Sequence, residues 1–289
     1  MTDYEKNSVK DNPLGSAPLI PLITRFAIPS IISMLVGAAY NITDQIFIGH
    51  VVGMLGNAAT NVAFPTVTLT TGISMLFGIG TAANFSINQG AGKIEEARKY
   101  VHTGLTGVAI AGILTGLLVF LLRGHITELC GADPAGNVYP YAVAYLSITA
   151  LGLPFQMFTH TSSTIIRADG SPTYSMLCTV TGAVLNVFLD WVFMYPLGMG
   201  IRGAAIATVL SQIVSFILAI SYYPRFRAFR ISMKDLGISV HHMLGSMSAG
   251  LPNFCNHMLM MVTNIVLNNA LATYGAMSVY GADIPLAVS

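Results

Sequence analysis

Residues 19–50 read LIPLITRFAIPSIISMLVGAAYNITDQIFIGH, and the reading of this stretch decides the fold. It is long enough to cross a bilayer, which takes about 20 predominantly apolar residues. Two features make it more than an anchor. Pro29 interrupts its inner half, removing a backbone donor and crowding the preceding turn, so it predicts a kink or hinge. Asp44 lies in its outer half, with Asn41 one helical turn before it. An ionised carboxylate at that depth costs on the order of 3 kcal/mol even on lenient insertion scales. A plain anchor has no use for that penalty.

The rest of the chain has the same character. Of its 289 residues 54% are hydrophobic and only 9% charged, and the mean hydropathy is +0.68. A soluble protein carries about a quarter charged residues. The apolar runs are continuous and do not alternate, which selects helices over a barrel. They fall at about 22–48, 59–84, 101–122, 138–161, 174–196, 203–223 and 244–272, predicting seven spanning helices. The abundant glycine (28 residues) suits helices that pack backbone to backbone in lipid. Cys130, Cys178 and Cys255 are too few and too scattered for a disulfide framework or a metal site. The polar opening, MTDYEKNSVKDNPLGSAP, lacks the apolar core and cleavage site of a signal peptide. No phosphate-cradling glycine loop, metal-spaced His/Cys cluster or nucleophile elbow occurs, so neither an enzyme nor a nucleic-acid partner is expected.

Charge placement orients the spans. Lys6, Lys10, Arg25, Lys93, Arg98, Lys99, Arg167, Arg225, Arg227, Arg230 and Lys234 fall on one side, and only Arg123 and Arg202 opposite. The positive-inside bias then predicts a multi-pass cell-membrane protein with a cytoplasmic N-terminus. Lys93–Lys99 reads as a charged surface turn or short interfacial helix, and His241-His242 as solvated imidazoles at a helix start. Among the acidic residues, only Asp44 and Asp190 lie inside spans. Both spans run outward, which puts the two carboxylates at similar depth in the outer half of the bilayer.

An internal repeat is legible as well. Ala27-Ile28-Pro29 lies over Gly250-Leu251-Pro252, and the same offset puts Asn41 on Asn264 and Leu267 on Asp44. Six helices separate the copies, so both run the same way. The expected architecture is an all-α polytopic helical bundle: a complete six-helix N-terminal lobe and the start of a second six-helix repeat. Its divisions are a cytoplasmic tail (1–18), the lobe (19–223), an inter-lobe loop (224–238) and an incomplete C-terminal lobe (239–289).

Around the carboxylates, Asn186 and Asp190 are four residues apart and share a helix face. Tyr145 on the fourth helix and Thr208 on the sixth fall at the same level. A lone buried aspartate often serves only to bond neighbouring helices. Tyr145 alone reads equally well as an interfacial aromatic, and Thr208 as bonding its own helix. Two carboxylates at matched depth, with oxygen-bearing neighbours, suit a proton or a hard monovalent cation.

These residues resemble the MATE (multidrug and toxic compound extrusion) family in its bacterial and archaeal branch. The resemblance is carried by Ala27-Ile28-Pro29, Thr43-Asp44-Gln45-Ile46-Phe47-Ile48-Gly49-His50, Tyr145-Leu146-Ser147-Ile148, Arg167-Ala168-Asp169-Gly170, Leu185-Asn186 through Asp190, and Gly203-Ala204-Ala205-Ile206-Ala207-Thr208. It implies two six-helix lobes that extrude amphiphilic organic cations in exchange for H⁺ or Na⁺, with no other cofactor. It also implies a cation site at Asp44, Asn186, Asp190, Tyr145 and Thr208, with Na⁺ held by Asp44, Asn186, Asp190 and Thr208, and a bend at Pro29. The partners implied are small organic cations, membrane lipids and the missing C-terminal lobe. Three rivals stand beside this reading. A lipid-linked saccharide flippase would want Arg or Lys in its cavity, an intramembrane aspartyl protease would use two helix-borne aspartates, and a seven-helix receptor would need an external N-terminus.

Overall fold

The computed structural model describes residues 18–229, 237 and 239–276. The charges expected at Lys6, Lys10, Arg230 and Lys234, and residues 277–289 of the expected C-terminal lobe, lie outside the described residues. Among the described residues the chain forms seven long helices and no strand. They are α1 (Leu19–Val51), α2 (Met54–Gly90), α3 (Ile94–Leu129), α4 (Tyr139–Ala168), α5 (Pro172–Met194), α6 (Ile201–Tyr222) and α7 (Val240–Ala276). The first six are long and apolar enough to cross a membrane. α7 has the length, at 37 residues, but dilutes its apolar surface with His241, His242, Asn253, Asn256, His257, Asn264, Asn268 and Asn269.

The helices overrun the apolar runs that announce them. α3 begins at Ile94, with Glu95 and Glu96 in its first turn, where acidic side chains favour the positive end of the helix dipole. The charged stretch Lys93–Lys99 is therefore mostly the start of a spanning helix. Hydropathy marks only the part that sits in hydrocarbon, whereas backbone hydrogen bonding carries a helix on into the interface.

α4 lies at the centre, packed against α2, α3, α5 and α6, while α1 leans chiefly on α5. Small residues allow the close approaches that lipid-embedded helices depend on. Gly112 and Gly116 seat α3 against Pro154 and Ala150 of α4. The most intimate pair is α2 with α7. A methyl group at Gly80 would run into the Ser246 carbonyl, and one at Gly250 into the Leu76 backbone. Asn268 Nδ2 ties the far end of this seam by donating to Asn61 O at 3.3 Å, and Asn269 Nδ2 joins α7 to α3 by donating to Leu129 O at 3.1 Å.

α1 is the loosest of the six. Only Pro29, Asp44 and Ile48 are buried along its whole length. Its C-terminal third is held by Ile48, packed with Met194 and Ala204, and by Phe47 edge-on to Tyr195 at 5.9 Å. Thr60 Oγ1 donates to Gln45 Oε1 at 3.2 Å. The helix continues unbroken through Pro29.

Candidate functional site

The anchored third of α1 brings Asp44 under the bundle, where it is 6% exposed, and α5 brings Asp190, which is fully buried. The two carboxyl groups lie close enough to influence each other directly. Ionised carboxylates only accept, so a bond between them needs a proton, or a cation in its place. One oxygen of each, Asp44 Oδ1 and Asp190 Oδ1, is buried without a hydrogen-bond partner.

Asn186, one turn before Asp190 and 1% exposed, supports the pair. With its amide nitrogen turned to Asp190, it donates to Oδ2 at 2.8 Å, and its oxygen accepts the Thr208 backbone N–H at 3.2 Å. The opposite orientation would face amide oxygen against carboxylate. Thr208, 7% exposed on α6, lines the same cavity as Tyr40 and Tyr145. The structure thus gathers Asp44, Tyr145, Asn186, Asp190 and Thr208 into one cluster drawn from α1, α4, α5 and α6. Pro29 stands apart from it, four turns down α1.

Tyr40 belongs to the cluster and was not singled out by the sequence reading. It precedes Asp44 by one turn and faces the same way. The signal was that spacing, obscured because an aromatic residue in an apolar run looks like ordinary packing. Asn41, which the sequence reading did pair with Asp44, instead donates to Gly37 O of its own helix at 2.8 Å.

The cluster borders a cavity of about 370 Å³ lying among α1, α2, α4, α5 and α6. Its wall is apolar at Ala63, Phe64, Val67 and Leu153, and polar at Gln156, His160, Ser163 and Gln212. No lysine or arginine lines it among the described residues. This is the size and mixture of a small-molecule chamber, with Asp44 on its wall.

Comparison with known proteins gives this arrangement a family. The MatE family model matches residues 29–192, which include Asp44, Tyr145, Asn186 and Asp190. The multidrug export protein MepA of Staphylococcus saprophyticus is 28% identical over 264 residues, covering 90% of this chain and 58% of that protein. The MepA of Staphylococcus aureus strain NCTC 8325 / PS 47 is 24% identical over 273 residues, covering 93% and 60%. Among solved structures, the MATE multidrug transporter DinF-BH superposes with a TM-score of 0.87 at 30% identity, over 95% of this chain and 60% of that one. A MATE structure in complex with MaD3S superposes with a TM-score of 0.78 at 26% identity, over 87% and 56%. The chain therefore spans about three-fifths of the length of these relatives. Matched by the family model over more than half of its residues, and sharing the helical bundle of the solved transporters, this chain belongs to the MatE family.

Proposed function

We propose that this chain supplies the cation-binding lobe of an exporter that moves amphiphilic organic cations out of the cell in exchange for H⁺ or Na⁺. One observation carries the reading: two buried carboxyl groups from separate helices meet beside a chamber large enough for a small organic molecule. The names of the relatives, multidrug export protein and multidrug transporter, support the direction and the kind of cargo. In this reading residues 19–223 form the lobe and residues 239–289 open a second one, with the N-terminus and the basic loops in the cytoplasm.

The mechanism follows from the site. A proton or Na⁺ entering from outside neutralises the Asp44–Asp190 pair and supplies the partner that Asp44 Oδ1 and Asp190 Oδ1 lack. Na⁺ would be held by Asp44, Asn186, Asp190 and the Thr208 hydroxyl, all oxygen donors suited to a hard cation. The relieved repulsion draws Asp44 toward α5, and α1 bends at Pro29, narrowing the chamber and displacing its organic cation outward. Release of the coupling ion inward resets the pair. Each inward charge contributes about 2.3 kcal/mol per 100 mV of membrane potential. A wall without lysine or arginine suits an organic cation better than an anionic lipid-linked saccharide.

The test is export of a fluorescent organic cation from drug-sensitive cells expressing Asp44→Asn or Asp190→Asn. Both should abolish export at unchanged membrane abundance, because a neutral amide cannot alternate between charged and uncharged states. Export at the parent level in either variant overturns the assignment.

A further inference from the structure

The chamber is long for its volume. One face of α4 lines it, from Tyr145 through Leu153 and Gln156 to His160 and Ser163. Tyr145 lies close enough to Asp44 and Asp190 to feel their charge. From Tyr145 to His160 is about 22 Å at the helical rise of 1.5 Å per residue, so a cavity of about 370 Å³ is a slot and not a sphere. Its middle is apolar. Thr60 is bonded to Gln45, the neighbour of Asp44, and Val67 follows Thr60 by two turns of α2, as Leu153 follows Tyr145 on α4. Beyond that apolar band the wall turns polar again, at Gln156 and His160.

The hydroxyl groups of this wall are spent on the protein. Thr149 Oγ1 donates to Tyr145 O at 2.9 Å, Thr159 Oγ1 to Phe155 O at 2.8 Å and Ser215 Oγ to Cys178 O at 3.3 Å, while Ser163 Oγ shares a bond with Ser175 Oγ at 2.6 Å. Gln156, His160 and Gln212 differ: among the described residues none of the three side chains is hydrogen-bonded. Gln212 Oε1 is buried without a partner, set against Gly152, where an added methyl would strike it. Gln156 is one turn past Gly152, and His160 one turn further. Amides that only join helices reach across to a neighbour, as Asn268 and Asn269 do. A structural histidine behaves likewise. His242, read from the sequence as solvated, is 7% exposed, with Nε2 meeting Glu96 Oε2 at 2.8 Å and Nδ1 meeting Ser239 Oγ at 2.6 Å. The three polar groups in the slot keep their capacity for whatever enters it.

We propose that Gln156, His160 and Gln212 form a second recognition pole of the chamber, which takes the uncharged, hydrogen-bonding end of a long organic cation whose ammonium lies toward Asp44. The place of the ammonium rests on the exchange reading above; the demand for a polar tail does not. An imidazole and two carboxamides offer donors and acceptors together. No lysine or arginine lines the wall among the described residues. Arg167, two turns past His160, directs its Nε to Ser163 O at 3.2 Å. A carboxylate tail would therefore be desolvated without an ion pair. An apolar tail would fill the slot and strand three polar side chains, and a site built to hydrogen-bond its ligand rejects an analogue that lacks the group.

The test is equilibrium binding of radiolabelled alkyl-trimethylammonium ions to the whole chain in lipid nanodiscs. The ions are long enough to reach from Asp44 to His160, and one ends in a carboxamide, its twin in an isopropyl group of the same shape, and a third in a carboxylate. The parent chain should bind the carboxamide ion more tightly than either of the others. In His160→Leu and in Gln156→Leu the ratio of carboxamide to isopropyl affinity should fall at least about fivefold, the scale of one net hydrogen bond. His160→Asn, which keeps a donor and an acceptor, should retain most of the parent ratio, as a merely space-filling role would not require. In the parent, ions of half the length cannot reach both ends and should lose the preference; this arm needs no variant and covers the case in which the leucine variants do not fold. A parent chain that prefers the isopropyl or the carboxylate ion, a ratio unmoved in both leucine variants, or short ions that keep the full preference, each overturns the second pole. These ratios are read without ion exchange, so a failed exchange reading shows apart from them, as export retained in Asp44→Asn.

Discussion

At the scale of single residues, the site depends on who supplies hydrogen bonds to whom. Asp44 and Asp190 stand out in the sequence because a carboxylate in an apolar run is expensive, and that expense needs a reason. Asn186 follows from its spacing, four residues before Asp190. Tyr40 does not, since nothing in the one-dimensional pattern separates a tyrosine that packs from one that lines the cavity beside Asp44. That position makes a definite prediction. Tyr40→Phe keeps the ring and removes the one polar group that Tyr40 brings to the cavity wall. Loss of a polar contact of about 1 kcal/mol should raise the coupling-ion concentration for half-maximal exchange about fivefold. Maximal rate and membrane abundance should stay near the parent values. A Tyr40→Phe protein with unaltered ion dependence would remove Tyr40 from the site.

At the scale of the element, α1 combines a firmly placed end with a lightly packed remainder. Ile48, Phe47 and Gln45 fix the turn beyond Asp44, whereas from Leu19 to Thr43 only Pro29 is buried. A helix held in this way can bend without breaking many contacts, and the proline is where the backbone already lacks a bond. Pro29→Ala restores the missing N–H and stiffens α1. Export should fall severalfold while thermal stability in detergent stays level or rises, since a helix interior gains from losing proline. Normal export from a stable Pro29→Ala protein would place the bend elsewhere. Elements differ in how legible they were for a physical reason. The cores of all seven helices are written in hydropathy, but their ends are set by capping and interfacial charge, which is why α3 starts at Ile94 instead of near Val101. The docking of α7 along α2 was not legible, because Gly80 and Gly250 look like any other glycine in an apolar run.

For the whole molecule, α1 and α7 are the corresponding helices of the repeat read from the sequence, and the structure gives them like features. Each carries an interior proline, Pro29 and Pro252. Each also turns an asparagine back on its own helix, Asn41 to Gly37 O at 2.8 Å and Asn264 to Met260 O at 2.9 Å. Their surroundings differ, since α1 leans on α5 while α7 lies along α2 and α3, and only α1 carries a carboxylate. In the proposed exchange, coupling in one half alone demands that the charged half face the membrane in a fixed sense, so orientation becomes the deciding measurement. The turns at Gly92, Gly170 and Tyr223–Arg225 share one end of the bundle, and Gly136 and Gly198 the other. In a protein with Cys130, Cys178 and Cys255 replaced by alanine, a single cysteine at Gly136 or Arg202 should react with a membrane-impermeant maleimide in intact cells. A cysteine at Arg225 should react only after the membrane is permeabilised. The reverse pattern would turn the Asp44–Asp190 pair toward the cytoplasm, where an inward ion gradient could not load it from outside, and the exchange cycle would run against its own driving force.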